Sequence, residues 1–193
     1  YVMGEVVENR SQETGLHIKR VAQISELIAE KYGLSHEHAQ MIKIASPMHD
    51  IGKVGISDDN LHKAGALSES EYNAMKKHTD LGYSMLNKMD RPLIQMAATI
   101  AHEHHEFYNG QGYPLGLSGN EISIEARIVG LVDVFDALGS KRSYKQAWSD
   151  EQIIDYLLAK KGVQFDPELV DLFIENLEQI FTIRNQLLDD KYQ

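Results

Sequence analysis

Helical periodicity with clear start signals constrains the fold of this 193-residue chain more than any other feature. In the first helical segment, apolar residues such as Val21, Ile24 and Ile28 recur at the spacing of one helix face. Capping boxes that begin at Ser68 and Ser149 mark later helix starts, and no stretch keeps the strict alternation of a strand. The sequence therefore predicts an all-α bundle of about six to eight helices.

The predicted helices leave one long loop, which spans residues 106–122 and contains several glycines and Pro114. A loop of this length in a compact helical domain is often functional. Pro47 lies inside a helical pattern and should loosen it. The helices are predicted at about 5–32, 35–49, 68–89, 92–105, 124–138, 150–162 and 167–180.

Composition excludes several classes of protein. The net charge of −10 argues against a partner that is a nucleic-acid polymer, and the absence of cysteine excludes disulfides and thiolate metal sites. No run approaches the roughly 20 apolar residues of a membrane span, so we expect a cytoplasmic chain. The length suits one domain, 1–193, and the start at Tyr1 suggests a piece of a longer protein with an N-terminal sensor or receiver domain.

The stretch from His49 to Gly55 places an imidazole beside a carboxylate, followed by Gly52 and Lys53. Adjacent helix residues do not share a face, so His49 and Asp50 can reach one ion only near a helix end or distortion. Gly52 would allow such a distortion. A metal site with a lysine beside it is typical of phosphate chemistry, although a helix cap or an ion pair is the commoner role for an isolated His-Asp pair.

Three further candidate ligands lie on predicted helices. Glu13 and His17 are four residues apart and so share a helix face, where they could chelate an ion. His78 lies in the middle of a predicted helix. For each of these positions, taken alone, a solvated helix surface is the better interpretation.

His104, His105 and Asp133 are harder to explain without a metal. The two histidines lie in a run of five titratable residues that would be costly to bury without an ion or a hydrogen-bond network. Asp133 interrupts an apolar run, and such an acid is seldom buried unless it is paired or bound to a metal. The alternative for Asp133 is a salt bridge.

These ligands offer only nitrogen and oxygen atoms. Structural zinc sites generally use cysteine, whereas mixed imidazole and carboxylate ligation suits iron or manganese. There are more candidates than one ion can use, so we expect at least two ions. Two adjacent ions can clamp a phosphoryl group during in-line displacement.

With these motifs the chain resembles the HD-GYP phosphodiesterases, a branch of the HD-domain metallophosphohydrolases. The resemblance covers essentially the whole chain and is specific in its combination of motifs. Those motifs are His49-Asp50-Ile51-Gly52-Lys53, His104-His105-Glu106, Asn109-Gly110-Gln111-Gly112-Tyr113-Pro114, Asp133-Val134-Phe135-Asp136-Ala137, and a segment with Arg142, Tyr144, Lys145 and Trp148.

The resemblance implies an HD-domain helical bundle that hydrolyses cyclic di-GMP to pGpG or GMP through a hydroxide that bridges two metals. Asp50 would be the bridging carboxylate and, with Lys53, a catalytic residue, and a glutamate at position 13 goes with a third metal in this family. The implied metal ligands are Glu13, His17, His49, Asp50, His78, His104, His105 and Asp133. The implied substrate contacts are Lys53, Tyr113, Asp136, Arg142 and Lys145.

The chain departs from the family pattern at positions that are not ligands. Asn109 replaces the usual Asp of the Gly-Tyr-Pro loop, and Ala64 and Ser143 replace usual prolines. The loop could dock diguanylate cyclase (GGDEF) domains, and an apolar face of the first or last helix could form a homodimer. Two alternatives are hydrolysis of another cyclic dinucleotide, such as cyclic GMP-AMP, and a non-catalytic sensor or docking module.

Overall fold

The described part of the chain is helical. The computed structural model describes residues 15–63, 65–140 and 147–187, and within these ranges it has isolated β-bridges but no strand, which confirms the all-α prediction. None of the described helices is both long and apolar enough to cross a membrane. The α-helices are α1 (Gly15–Lys31), α2 (His36–Ala45), α3 (Asp58–Leu61), α4 (Glu69–Leu86), α5 (Pro92–Glu103), α6 (Ile124–Gly139), α7 (Asp150–Ala159), α8 (Pro167–Glu175) and α9 (Leu177–Gln186).

The nine described α-helices exceed the predicted count for two local reasons. Helix α3 is a single turn, and the predicted last helix divides at Asn176 into α8 and α9. The chain also forms short 3₁₀ segments at Ser46–Met48, Ile51–Gly55 and Gly119–Glu121. The predicted start of the first helix, before Gly15, lies outside the described residues.

The predicted helix starts are present with their caps. Ser35, Ser123 and Asp166 each accept a hydrogen bond from a backbone N–H in the first turn of the helix that follows. Ser68 and Ser149 form complete capping boxes. Each cap satisfies a backbone donor that the helix itself leaves unpaired, so these starts are fixed locally by the sequence.

The core lies around α1 and α6, which pack against each other. The predicted stripe of Val21, Ile24 and Ile28 on α1 is completely buried. Helix α6 has a wide apolar surface, and the ring of its Phe135 lies 5.0 Å from that of Phe173 on α8. Because α1 carries His17 and α6 carries Asp133, the packing of these two helices brings distant parts of the site together.

Two glycines allow backbone segments to meet at the carbonyl oxygens of candidate ligands. A Cβ atom on Gly52 would lie 1.9 Å from the carbonyl oxygen of His78, and one on Gly130 would lie 2.5 Å from that of His104. Gly52 is not among the glycines with positive φ. Its described role is therefore close packing of the Ile51–Gly55 segment on α4, rather than the backbone freedom that the sequence suggested.

Candidate metal centre

The His49-Asp50 pair lies at a break between helical segments, as its sequence required. Ser46–Met48 and Ile51–Gly55 are both 3₁₀ segments, with Pro47 at the start of the first, and the pair lies between them. His49 Nδ1 donates a hydrogen bond to the carbonyl oxygen of Ser46 at 2.8 Å. His49 Nε2 lies 3.2 Å from Asp50 Oδ2, so the two adjacent side chains converge.

Four candidate ligands come together around one Asp50 oxygen. Asp50 Oδ1 lies 3.2 Å from His78 Nε2 and 3.8 Å from His104 Nε2. The four side chains, here called the Asp50 group, are Asp50, His78, His104 and His105, and they offer ligand atoms that all lie within 4.8 Å of one another. The Nδ1 atoms of His78 and His104 donate to carbonyl oxygens of their own helices, at 2.8 Å and 3.0 Å, which leaves Nε2 to face the group.

The chemistry of the Asp50 group fits a metal ion. Among the described residues, His78 Nε2, His104 Nε2 and Asp50 Oδ1 are buried and have no hydrogen-bond partner. Leaving such atoms unsatisfied costs roughly 1–3 kcal/mol each. A cation shared by these atoms would satisfy all of them, and imidazole with carboxylate is an ordinary donor set for a transition metal.

A second set of candidate ligands adjoins the first. His17, His49 and Asp133, here called the Asp133 group, offer ligand atoms that lie within 4.8 Å of one another. Asp133 Oδ1 lies 3.5 Å from His17 Nε2 and 3.7 Å from His49 Nε2. Since His49 is also beside Asp50, the two groups form one continuous centre.

Asp136 lies behind His17. Its Oδ2 accepts from His17 Nδ1 at 2.7 Å, and its carboxylate pairs with Arg20 through Nε at 2.6 Å and Nη2 at 2.9 Å. Burial alone would raise the pKa of Asp136, but the bonds from His17 and Arg20 hold it below its usual value. The side chain is 1% exposed, so the described position is that of a partner to the candidate ligand His17, and the predicted contact with substrate stays a prediction.

Lys53 points its ammonium at the centre. Its Nζ lies 2.5 Å from Asp50 Oδ2, and its side chain is 15% exposed. Burial would by itself raise the pKa of Asp50, but Lys53, followed by His49 and His78, holds that pKa well below its usual value. Asp50 is therefore a carboxylate at neutral pH, as a bridging ligand must be.

The histidines of the Asp50 group are held neutral. Burial lowers the pKa of His78, places that of His104 well below its usual value, and brings that of His105 to about 3. The neutral imidazole is the form that binds metals. The group is therefore ready to accept an ion without first losing protons.

Glu106 organises the Gly-Tyr-Pro loop, a role that the sequence did not predict. Its buried carboxylate accepts hydrogen bonds from the backbone N–H groups of Leu115, Gly116 and Leu117 at 2.6, 3.1 and 3.0 Å. A Cβ atom on Gly112 would lie 2.5 Å from the Cα of Glu106, so the loop folds back tightly onto its own start. The acidic residue at the start of a glycine-rich loop was the sequence signal that could have indicated this role.

The loop brings Tyr113 against the metal centre. Its ring lies 4.9 Å from the ring of His105, with an angle of 32° between the planes. Burial raises the pKa of the Tyr113 phenol, so it stays protonated and can donate a hydrogen bond. Asn109, which differs from the usual Asp of this loop, accepts a hydrogen bond through Oδ1 from the backbone N–H of Gln111 at 3.0 Å. Its side chain therefore stabilises a turn in the loop.

The remaining members of the titratable run point elsewhere. The ring of His102 stacks on Tyr83 at 4.3 Å, and its Nε2 lies 3.0 Å from Asp80 Oδ1. Glu103 accepts from the backbone N–H of Ser123. Several sequence candidates lie outside the described residues, namely Glu13, Ala64, Arg142, Ser143 and Lys145.

Comparison with known proteins identifies the family of this chain. A family model described as HD domain matches residues 2–169. A 3'3'-cGAMP-specific phosphodiesterase 2 of Vibrio cholerae serotype O1 is 49% identical over 98% of this chain and 36% of its own length. The cyclic di-GMP phosphodiesterase response regulator RpfG of Xanthomonas campestris pv. campestris is 43% identical over 95% of this chain and 49% of its own length.

Solved structures share the fold. A crystal structure of a cyclic GMP-AMP specific phosphodiesterase of V. cholerae, V-cGAP3, has a TM-score of 0.66 and 19% identity, over 98% of this chain and 55% of that one. The chain spans only part of these two curated relatives, 36% and 49% of their length. The family model covers most of the chain. The chain therefore belongs to the HD-domain family, in agreement with the HD-GYP resemblance of its motifs.

Proposed function

We propose that this domain is a metal-dependent phosphodiesterase that hydrolyses cyclic di-GMP to pGpG or GMP. The observation that carries the proposal is the position of Asp50. Its Oδ1 lies 3.2 Å from His78 Nε2 in one ligand group, and its Oδ2 lies 3.2 Å from His49 Nε2 in the other. A carboxylate that lies between two adjoining ligand groups can hold two ions close together, and two adjacent ions are what a binuclear phosphodiesterase uses.

The residues that would hold the ions are the Asp50 group and the Asp133 group. Iron or manganese suits this mixture of imidazole and carboxylate, and Glu13 would add a third ion to the two that the described groups support. When bound, such ions activate water at neutral pH and offset negative charge on the phosphoryl oxygens.

The chain's own side chains would orient the substrate. The ammonium of Lys53, beside Asp50, is placed to contact a non-bridging oxygen of the scissile phosphate and to stabilise its developing charge. The neutral Tyr113 phenol could donate to the substrate from the loop side. Arg142 and Lys145 would bind the other phosphate, the first through its planar fork and the second as a point charge.

The test is turnover by protein of known metal content. Protein purified without oxygen and loaded with iron or manganese is mixed with cyclic di-GMP, and products are separated by chromatography. We expect linear pGpG or GMP, loss of turnover after chelation, and recovery when metal is restored. Intact cyclic di-GMP in the presence of fully loaded protein would refute the proposal, and bound but uncleaved nucleotide would support the sensor role instead.

A second candidate substrate is cyclic GMP-AMP. It is favoured by the relative named as cGAMP-specific, which is 49% identical over 189 residues. The two cyclic dinucleotides differ in one base, so the metal centre would treat them alike and base recognition would decide between them. Competition between cyclic di-GMP and 3'3'-cGAMP in one reaction gives the ratio of their kcat/KM values directly.

We also propose two protein partners. The loop that carries Tyr113 exposes Leu115, which is 56% exposed, and this supports docking of GGDEF domains at the loop. A second copy of the chain could pair through an apolar helix face. Light scattering of the purified domain, alone and mixed with a GGDEF domain, measures both associations.

A further inference from the structure

Two aromatic rings and a lysine form a small cluster at the edge of the metal centre. Tyr72 lies in the first turn of α4, and Lys76 follows one turn later. The Lys76 ammonium lies 5.1 Å from the ring centroid of Tyr72 and 5.8 Å from that of Tyr113. The two rings lie 6.3 Å apart and nearly perpendicular, at 80°. These three residues are called the Tyr72 cluster.

The Tyr72 cluster adjoins the Asp50 group from two directions. Tyr113 packs against the ring of His105, at 4.9 Å. Helix α4, which carries Tyr72 and Lys76, also carries His78. Tyr113 is therefore in ring contact with both Tyr72 and His105, at centroid distances of 6.3 Å and 4.9 Å.

The cluster is open to solvent on its outer side. Tyr72 is 47% exposed, whereas Lys76 and Tyr113 are half-buried. An exposed aromatic ring beside a cation and next to a buried polar centre can stack on a flat, electron-rich ligand. Nucleotide bases are such ligands, since every base has a π-face that stacks on aromatic side chains.

We propose that the Tyr72 cluster is a guanine-binding subsite for the nucleotide whose phosphate reaches the metal centre. This inference rests on the proposed phosphodiesterase function and adds a base preference to it. Tyr72 supplies a stacking face, and Lys76 donates to the O6 and N7 acceptors that guanine presents along one edge. Adenine presents an amino donor in place of O6, so a lysine ammonium at this position disfavours adenine.

The experiment compares substrates that differ only in their bases. Tyr72→Leu, Tyr72→Phe and Lys76→Met are assayed with cyclic di-GMP and cyclic di-AMP, with Lys77→Met as the matched control because Lys77 is an exposed lysine on the same helix. We expect Tyr72→Leu to raise KM for cyclic di-GMP about tenfold with kcat nearly unchanged, and Tyr72→Phe to retain the original KM. Lys76→Met should reduce the preference for guanine about tenfold.

A general loss of structure is separated from a loss of base recognition by measurements that involve no nucleotide. The metal content and the urea unfolding midpoint of every variant should match those of the wild-type protein. If Tyr72→Leu and Lys76→Met lose metal or stability in proportion to their loss of cyclic di-GMP hydrolysis, the cluster is structural and the inference fails. Unchanged KM and unchanged preference in both variants would also overturn it.

Direct binding keeps the inference testable if the chain hydrolyses no cyclic dinucleotide. Calorimetric titration of the metal-loaded protein with GMP and with AMP measures the base preference without turnover. Tighter binding of GMP, abolished by Lys76→Met and kept by Lys77→Met, supports the subsite even where the proposed activity fails. Equal affinity for GMP and AMP in the wild-type protein would refute it.

Discussion

The histidines of the candidate metal centre are held in place by two different means. In the Asp50 group, His78 and His104 each donate through Nδ1 to a carbonyl oxygen of their own helix. In the Asp133 group, His17 donates through Nδ1 to the carboxylate of Asp136, which is held in turn by Arg20. His49, the other histidine of the Asp133 group, also donates to a backbone carbonyl oxygen, that of Ser46, so it is His17 that depends on an ion pair between side chains of α1 and α6.

This difference predicts which candidate ligand can change its orientation after a single substitution. A backbone carbonyl is present whatever the side chain, so the orientation of His78 and His104 is fixed once the helices form. The orientation of His17 depends on Asp136 and can be altered by one substitution without breaking the fold. Removal of a partner that orients a ligand in this way typically lowers metal affinity by about 10–100-fold.

The largest effect should follow removal of Asp50, the carboxylate that belongs to one group and lies beside His49 of the other. Asp50→Ala should abolish binding at both groups and lower turnover at least about 10³-fold, because a bridging ligand is lost together with its charge. Metal content measured by mass spectrometry checks this, with Asp58→Ala, an acid with a side chain 69% exposed, as control. Two full equivalents of metal in Asp50→Ala would show that the groups bind ions independently.

Acid should destabilise the metal-free protein through the Asp50 group. Burial lowers the pKa of His78 and His104, and that of His105 is about 3, against about 6.5 in an unfolded chain. As the pH falls below about 6.5, these histidines become protonated in the unfolded state but stay neutral in the folded state, so the free energy of unfolding decreases. Each such imidazole contributes about 1.4 kcal/mol per pH unit.

Urea unfolding of the metal-free protein at about pH 7, 6 and 5 measures how the free energy of unfolding changes with pH. His104→Gln should reduce this change, because one buried imidazole is gone. The same replacement at His36, whose side chain is 76% exposed, serves as the control. A stability that does not change over this range would mean that the imidazoles are protonated in the folded protein or exposed by a rearrangement.

Local signals predicted the helices, and long-range contacts account for what the sequence did not show. Ser68 and Ser149 fix helix starts through residues three positions away, so their capping boxes are readable from the sequence. The ion pair between Asp136 and Arg20 joins residues 116 positions apart, and no local sequence pattern predicts it. The contact of Gly52 with the His78 carbonyl is hidden for the same reason.

The candidate ligands show the same division. His17, His49 and Asp133 were named from motifs in separate segments, and the structure brings their ligand atoms within 4.8 Å of one another. What each ligand's other nitrogen or oxygen would contact could not be inferred, since that depends on how helices pack. The sequence therefore named candidate ligands that the fold brings together, whereas only the fold revealed that His17 is supported differently from His49, His78 and His104.

A smaller effect, confined to one group, should follow Asp136→Asn. The amide oxygen can still accept from His17, but the charge that pairs with Arg20 is lost. We expect the affinity of the Asp133 group to fall about 10–100-fold while the Asp50 group keeps its ion. A manganese titration followed by calorimetry should show one tight and one weakened event, with Asp150→Asn as control. Equal weakening of both events would contradict the comparison, and an altered KM with normal metal binding would support the predicted substrate contact.

The smallest effect should follow Arg20→Lys, which keeps the charge beside Asp136 but removes its geometry. Arg20 pairs with both oxygens of Asp136 and also donates to the carbonyl oxygen of Leu187, and a lysine ammonium cannot reproduce that planar fork. We expect the affinity of the Asp133 group for manganese to fall about threefold to tenfold, less than in Asp136→Asn. Arg184→Lys is the matched control, because Arg184 pairs with both oxygens of Asp150 at 2.7 and 3.0 Å. If both variants bind manganese like the wild-type protein, the charge of residue 20 is sufficient, and the geometry of the ion pair does not set the second group.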